Sequence, residues 1–248
     1  MSVERSLKSF PRPNVAVDIA VLTVEPATGS LDDVGRLNVL VVRRDVEPFG
    51  VLPGRFIRQR RTIKKSVHEV LESKLGLDPG DISPTLLRVF DDPDRDERGW
   101  TLSIAHAVTL PAGRVHGCTG ELVPIDLSGE LATGETLGYD HNQIVREAVS
   151  TMRDRYETAP DPDMLLDGPF TLSELRRLHE AVVGERLRKD TFNRRMSQHL
   201  ELAYDASGNP DVRQTIGRPA QLFQRTRVSS DRIQSRWRLP RPENQRTR

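Results

Sequence analysis

Cysteine occurs once in the 248 residues, at Cys118. A lone thiol forms no disulfide within the chain and no cysteine-based zinc site, and in its glycine-rich surroundings it reads as an incidental thiol. Long apolar runs are missing as well. No stretch approaches the roughly 20 residues that a bilayer crossing needs, and the first residues lack the apolar segment of a secretory signal. A cytoplasmic location and no membrane partner are therefore expected. Net charge is nearly absent too, since 37 Lys+Arg against 36 Asp+Glu leave +1. That balance is not local. Residues 1–167 hold 20 Lys+Arg against 27 Asp+Glu, a net −7, whereas residues 168–248 hold 17 against 9, a net +8. A basic C-terminal third joined to an acidic remainder is the footprint of a nucleic-acid-binding module attached to something else.

What is present is enough for two cores, with 36% hydrophobic and 29% charged residues. A polar, proline-bearing leader, residues 1–13, comes first. Val15 to Val24 (VAVDIAVLTV) reads as a buried strand and Leu37 to Arg43 as its partner; Leu86 to Phe90 and Trp100 to Leu110 are two more strand candidates. Between the pairs, Ile63, Val67, Val70, Leu71 and Leu75 recur at helical spacing, and Gly76 suits a left-handed stop. Asp140 is expected to cap a helix running to about Tyr156 with Ile144, Val145, Ala148 and Met152 inward. Strands, a loop and helix, more strands and a closing helix predict an α+β sandwich over residues 14–157.

The proline-rich stretch 158–167 reads as a linker. Beyond it, Thr171 to Glu174 form a capping-box start for a helix that keeps Leu172, Leu175, Leu178 and Val182 on one stripe and stops at Gly184. A second helix from Asp190 is expected to turn Phe192, Met196 and Leu200 inward. Its other face gathers Lys189, Thr191, Asn193, Arg194, Arg195 and Gln198, which suit base edges and phosphates. Glu201 to Tyr204 and Gln221 to Arg225 then read as a hairpin, a wing bearing Arg213, Gln214 and Arg218. The module spans 168–228, and the Arg- and Pro-rich tail, 229–248, reads as disordered without DNA.

Several stretches carry a family resemblance. PGRFIRQRRTIKKSVHEVLESKLGL, from Pro53 to Leu77, resembles a Nudix box, G-x5-E-x7-R-E-U-x-E-E-x-G-U, with its last Gly-U on Gly76 and Leu77. In that register the box's carboxylate positions fall on Arg61, Val70, Ser73 and Lys74, its first glycine on Arg55 and its arginine on Glu69. The oxygen ligands a hard divalent cation requires are thus missing. Glu69 and Glu72 could hold a metal weakly; the simpler expectation is an i,i+4 surface pair of Lys65 with Glu69. VFDDPDRDERGWTLSIAHAV and YDHNQIVREA resemble the ADP-ribose-type Nudix domains. FTLSELRRLHEAVVG, FNRRM and GRPAQLF resemble the winged-helix domain of the Nudix-related transcriptional regulators, the NrtR family.

The resemblance covers about residues 14–227. It implies a Nudix-like α/β/α sandwich followed by a winged helix-turn-helix, in a repressor of NAD biosynthesis or salvage genes that acts as a homodimer on a palindromic DNA operator. No cofactor is required, no catalytic or metal-binding residue is assigned, and ADP-ribose or NAD is the implied effector. Carried over by position, the effector site takes in Arg43, Arg44, Arg58, Arg60, Arg61, Asp92 and Arg95. The arginines of the loop could pair with a diphosphate, or form a solvated face or a second DNA contact. Trp100 could stack on adenine but is expected in the core, and His106 and His179 are read as packing residues. Three other readings stay open: an ADP-ribose hydrolase using Glu69, Glu72, Asp92 or Asp94; a Nudix-type regulator of sugar catabolism; and a nucleotide-binding adaptor for protein partners.

Overall fold

The computed structural model describes residues 10–26, 35–45, 48–214 and 219–226. Most of the leader, the tail 229–248 and Arg218 lie outside them. The central strand is β1 (Asn14–Glu25), whose β-branched run is buried on both faces. It pairs in parallel with β5 (Thr101–Thr109), from Asn14 opposite Thr101 to Leu22 opposite Thr109. It also pairs antiparallel with β2 (Arg36–Val41) and β3 (Gly54–Phe56). With β4 (Thr85–Phe90) and β6 (Glu121–Pro124) these make a six-stranded mixed sheet, ordered β4-β5-β1-β2-β6 with β3 also on β1.

Period-two alternation sends the side chains of β1 to two layers. Val17, Ile19 and Val21 meet Val67, Val70, Leu71 and Leu75 of α1 (Ile63–Leu75). Ala20 and Leu22 meet Ile144, Val145, Ala148 and Met152 of α3 (His141–Thr158) on the other face. A short α2 (Ala112–Val115) follows β5. The Thr62 hydroxyl caps α1 by accepting from Lys65 N at 3.2 Å, and Gly76 ends it at φ 70°. Ile63 is not inward as expected but 41% exposed. Ser66, one turn before Val70, takes the inward place, and its hydroxyl donates to the Thr62 carbonyl.

Asp140 stands at the start of α3 but gives no side-chain cap. Its carboxylate is taken instead by the Arg95 guanidinium, at 2.8 and 2.5 Å. A buried bidentate ion pair outweighs a capping bond of about 1 kcal/mol.

In the C-terminal part, α4 (Leu172–Val183) opens on the expected capping box. Thr171 accepts from Glu174 N, and the Glu174 carboxylate accepts from Thr171 N at 2.8 Å. Gly184 closes it at φ 88°. α5 (Lys189–Met196) buries Phe192 and Met196 and ends there, so Leu200 is not its third inward residue but the first of β7 (Leu200–Leu202). Strand β7 pairs with β10 (Phe223–Arg225), and β8 (Val212–Arg213) with β9 (Ala220–Gln221), nesting one hairpin inside another. Phe170 bridges to Phe223 and closes a small core of Phe170, Leu175, Phe192 and Met196.

The stretch 158–167 is no open tether. Pro160, Asp161 and Pro162 are buried, and Leu178 and Val182 of α4 belong to the same cluster as Leu22 and Val39 of the sheet. The first helix of the basic module therefore completes the core of the sandwich.

Candidate functional site

Where β1 leaves the sheet's centre, Ala16 and Asp18 continue the face of Ala20 and Leu22 but open onto a cleft of ≈ 170 Å³. Asp18 is its floor. The carboxylate accepts from the Ser103 hydroxyl at 2.6 Å and lies 3.7 Å from both Arg95 and His141. Burial pushes the Asp18 carboxyl up, but His141, the Ser103 hydroxyl and Arg95 outweigh it and hold the group below the usual carboxylate range. His141 Nδ1 accepts from Leu52 N at 2.9 Å, which leaves the ring proton on Nε2, facing Asp18. Gly54 is required here, since a Cβ would lie 1.9 Å from Asp18 Oδ1.

Around this floor the cleft is cationic. Arg44, Arg55, Lys74, Arg95 and Arg98 line it against the carboxylates of Asp18 and Asp96. The Lys74 ammonium donates to the Gly54 carbonyl, and Arg55 pairs with Glu69. Arg98, held by Asp96 at 2.9 Å, has its guanidinium 4.7 Å from the Tyr139 ring and 5.7 Å from that of Phe56. Tyr139 reaches that place at φ 61°, its ring in edge contact with Phe49. Such backbone geometry is uncommon for a bulky residue and marks a side chain held in position by its surroundings.

Of the residues expected at the effector site, the structure brings Arg44 and Arg95 to the cleft, and Arg95 spends its guanidinium on Asp140 and Asp18. Arg43 faces elsewhere, bound to Glu135 at 2.7 and 2.8 Å and to Glu121. Arg58, Arg60 and Arg61 are exposed on the loop before α1 and do not line the cleft. Asp92 is exposed and accepts from Asp94 N within its own turn. Glu69 meets Arg55 and Arg61 rather than Lys65. Trp100 is 48% exposed, not core.

Sequence reasoning passed over Asp18, Lys74, Tyr139 and His141 as site residues, and reached Arg55 and Arg98 only as members of the basic loop and of the DDPDRDERG stretch. A signal existed for three of them: the box register itself put Arg55 and Lys74 at functional positions, and Asp18 is the one carboxylate inside an apolar strand. His106 and His179 are buried, as expected of packing residues.

The second surface is α5. Lys189, Thr191, Arg194 and Arg195 are exposed, as is Gln198 in the turn that follows, and Asn193 is half-buried. Arg213 turns back from the hairpin to Glu174 and the Pro169 carbonyl, while Gln214 is exposed. Behind α5, His179 of α4 is wedged between Tyr156 of α3 and Phe192 of α5, ring centroids 4.9 and 5.0 Å away. Its Nε2 accepts from Asp161 N at 3.4 Å. The fully buried Asp161 carboxylate accepts from Leu165 N, Leu166 N and the Tyr156 hydroxyl, and pairs with Arg225 of β10.

Fold and sites together define a class: a Nudix-like sandwich with a cationic cleft, joined to a winged helix-turn-helix. Residues 164–224 match the family model of the NrtR DNA-binding winged helix domain. The chain is 27% identical over 227 residues to the ADPR responsive transcriptional repressor NtrR of Acinetobacter baylyi, covering 86% of this chain and 82% of that one. The crystal structure of Shewanella oneidensis NrtR complexed with a 27mer DNA superposes with a TM-score of 0.65 at 24% identity, covering 88% of this chain and 95% of the other. A MutT/nudix family protein from Enterococcus faecalis gives 0.66 at 21% identity, covering 90% of each. The family match thus covers about a quarter of the chain, in its C-terminal part, and the similarity to NrtR-type repressors extends over most of its length.

Proposed function

We propose that the chain is an ADP-ribose-responsive transcriptional repressor of NAD biosynthesis or salvage genes, whose sandwich binds an ADP-ribose or NAD-type nucleotide without hydrolysing it. It binds a palindromic operator as a homodimer, placing two copies of α5 about 34 Å apart, one DNA turn, or a multiple of that. Lys189, Thr191, Asn193, Arg194, Arg195 and Gln198 meet the major groove, Gln214 reaches the backbone from the wing, and Arg218, outside the described residues, is kept as a further DNA contact. The nucleotide sits in the cleft over Asp18, with Arg44, Arg55 and Lys74 toward its phosphates.

The observation that carries this reading is the course of α3. Its first residue, His141, lines the cleft, and near its last turn Tyr156 lies against His179, which touches Phe192 of α5. A ligand that moves the start of α3 thus acts on the packing beneath the DNA-reading helix. The Acinetobacter relative's name supplies the effector and the sign of regulation. Absence of hydrolysis is supported by the box positions that carry Val70, Ser73 and Lys74.

Operator binding by fluorescence anisotropy at fixed salt, on DNA upstream of NAD-synthesis genes with and without ADP-ribose, tests the reading. Selective binding that ADP-ribose weakens is expected. Selective binding indifferent to any nucleotide removes the sensor, and release of AMP from ADP-ribose with Mg²⁺ restores the hydrolase.

A further inference from the structure

Nudix domains imply a divalent cation held by carboxylates of the box helix, and the residues present here do not fit one. Among the described residues, no three His, Cys, Asp or Glu side chains cluster so as to hold a metal ion. Of the two α1 carboxylates, Glu69 is taken by Arg55 and Arg61, and Glu72 does not line the cleft. Ser73 spends its hydroxyl on the Glu69 carbonyl. Asp18, on the cleft floor, is already engaged by Ser103, Arg95 and His141. In the midst of these sits an ammonium: Lys74 lines the cleft and is bonded to the carbonyl of Gly54, the residue whose missing Cβ lets Asp18 approach. A divalent ion placed there would meet Lys74 and Arg55 before any unengaged carboxylate. An anion would meet five cationic side chains and two carboxylates.

We infer that the Lys74 ammonium, backed by Arg55, is a built-in cation, and that the cleft binds a diphosphate-bearing ligand with no divalent metal. The inference rests on the reading of the cleft as a nucleotide site and adds how the phosphates are held. An ammonium is a compact point charge whose three donors can reach several acceptors at once, so the bond to Gly54 that fixes it in the cleft still lets it meet phosphate oxygens. Arg55 adds a planar fork suited to the same oxygens.

The test is calorimetric titration of the full chain with ADP-ribose and, separately, with inorganic pyrophosphate, each in EDTA and in millimolar Mg²⁺. Expected are Kd values for ADP-ribose that agree within about twofold between the two conditions, and a loss of about tenfold or more in Lys74→Gln, as for the removal of a charge-assisted bond. Lys74→Arg, which keeps the charge, retains most of the affinity, and urea unfolding checks that both variants are folded. ADP-ribose binding that needs Mg²⁺ keeps the nucleotide reading and overturns the inference, as does unchanged affinity in Lys74→Gln. Pyrophosphate bound in EDTA while ADP-ribose is not bound keeps the built-in cation and overturns the nucleotide reading. Binding of neither overturns both.

Discussion

His179 makes the fold sensitive to mild acid. It is 2% exposed, its ring held between Tyr156 and Phe192. One ring nitrogen accepts from Asp161 N, and a backbone bond at Tyr156 engages the ring as well. Burial above all, and then the positive charge of Arg195, push its pKa down from 6.5 to about 4, with the bond at Tyr156 opposing. The sign follows directly. The folded chain keeps the imidazole neutral while the unfolded chain protonates it near pH 6.5, so stability is full above that value, falls as pH drops and levels off below about 4. Across that window the loss reaches about 3 kcal/mol, at about 1.4 kcal/mol per pH unit. Protonation also removes the lone pair that accepts from Asp161 N, so the damage falls where α3, α4 and α5 meet. The assay is urea unfolding of wild type and His179→Gln between pH 7.5 and 4.5. Glutamine can still accept and donate but does not titrate. His106, whose pKa burial also lowers, acts in the same window in both proteins, so the difference between the two slopes isolates His179. The variant is expected to start less stable at pH 7.5, because glutamine cannot pack edge-on against the two rings, and to lose about 2.5 kcal/mol less than wild type on acidification to pH 4.5, which lies just short of the plateau. Equal slopes would refute the assigned burial of a neutral imidazole.

Replacing Arg194 and Arg195 together with alanine is expected to weaken operator binding by about 1–3 kcal/mol for each guanine that is no longer read, without lowering the urea midpoint, since both are exposed; unchanged anisotropy would take α5 out of the interface. Thr171→Ala removes half of the capping box and is expected to cost about 1 kcal/mol in urea unfolding. Asp161→Asn keeps the shape but sets an amide against donors that all need an acceptor, and leaves Arg225 without its charge partner. A loss of about 3 kcal/mol is expected, with the midpoint unmoved if the network is ornamental.

Local pattern revealed most of the elements, and non-local pairing decided the site. The apolar run of β1, the stripe of Val67, Val70, Leu71 and Leu75, and the glycines that end α1 and α4 are readable because each depends on neighbours within a turn or two. Ile63 defeated the reading because periodicity gives a face but not where that face ceases to be covered. Asp140 sat where a cap belongs, and only the fold brings Arg95 to claim it. The arginines at 58, 60 and 61 were attractive by composition, yet the cleft is lined by side chains from β1, β3, α1, the loop before β5 and the start of α3, which no single window of sequence contains. Lys74 was readable as a charge reversal in the box but not as a residue of the cleft, because its contact with Gly54 depends on the fold. In the wing, one hairpin was read where two are nested, because β8 and β9 are only two residues each.

The sharing of α4 between two cores limits how a signal can travel. Leu178 and Val182 pack with the sheet while Leu175 packs with Phe192, so the winged helix cannot swing away from the sandwich without exposing one cluster or the other. Movement between them must be a small slide or rotation of packed helices, the kind of shift that interdigitated side chains permit. Helix α3 can transmit such a shift, since its 18 residues span about 27 Å and run from the cleft to His179. A nucleotide that pulls on His141 or on Arg95, the partner of Asp140, displaces one end of a stiff rod whose other end bears on α4. Reciprocity then follows from thermodynamics alone. Whatever factor the nucleotide imposes on operator affinity, the operator imposes on nucleotide affinity, and coupling of about 1–3 kcal/mol corresponds to about 5- to 150-fold.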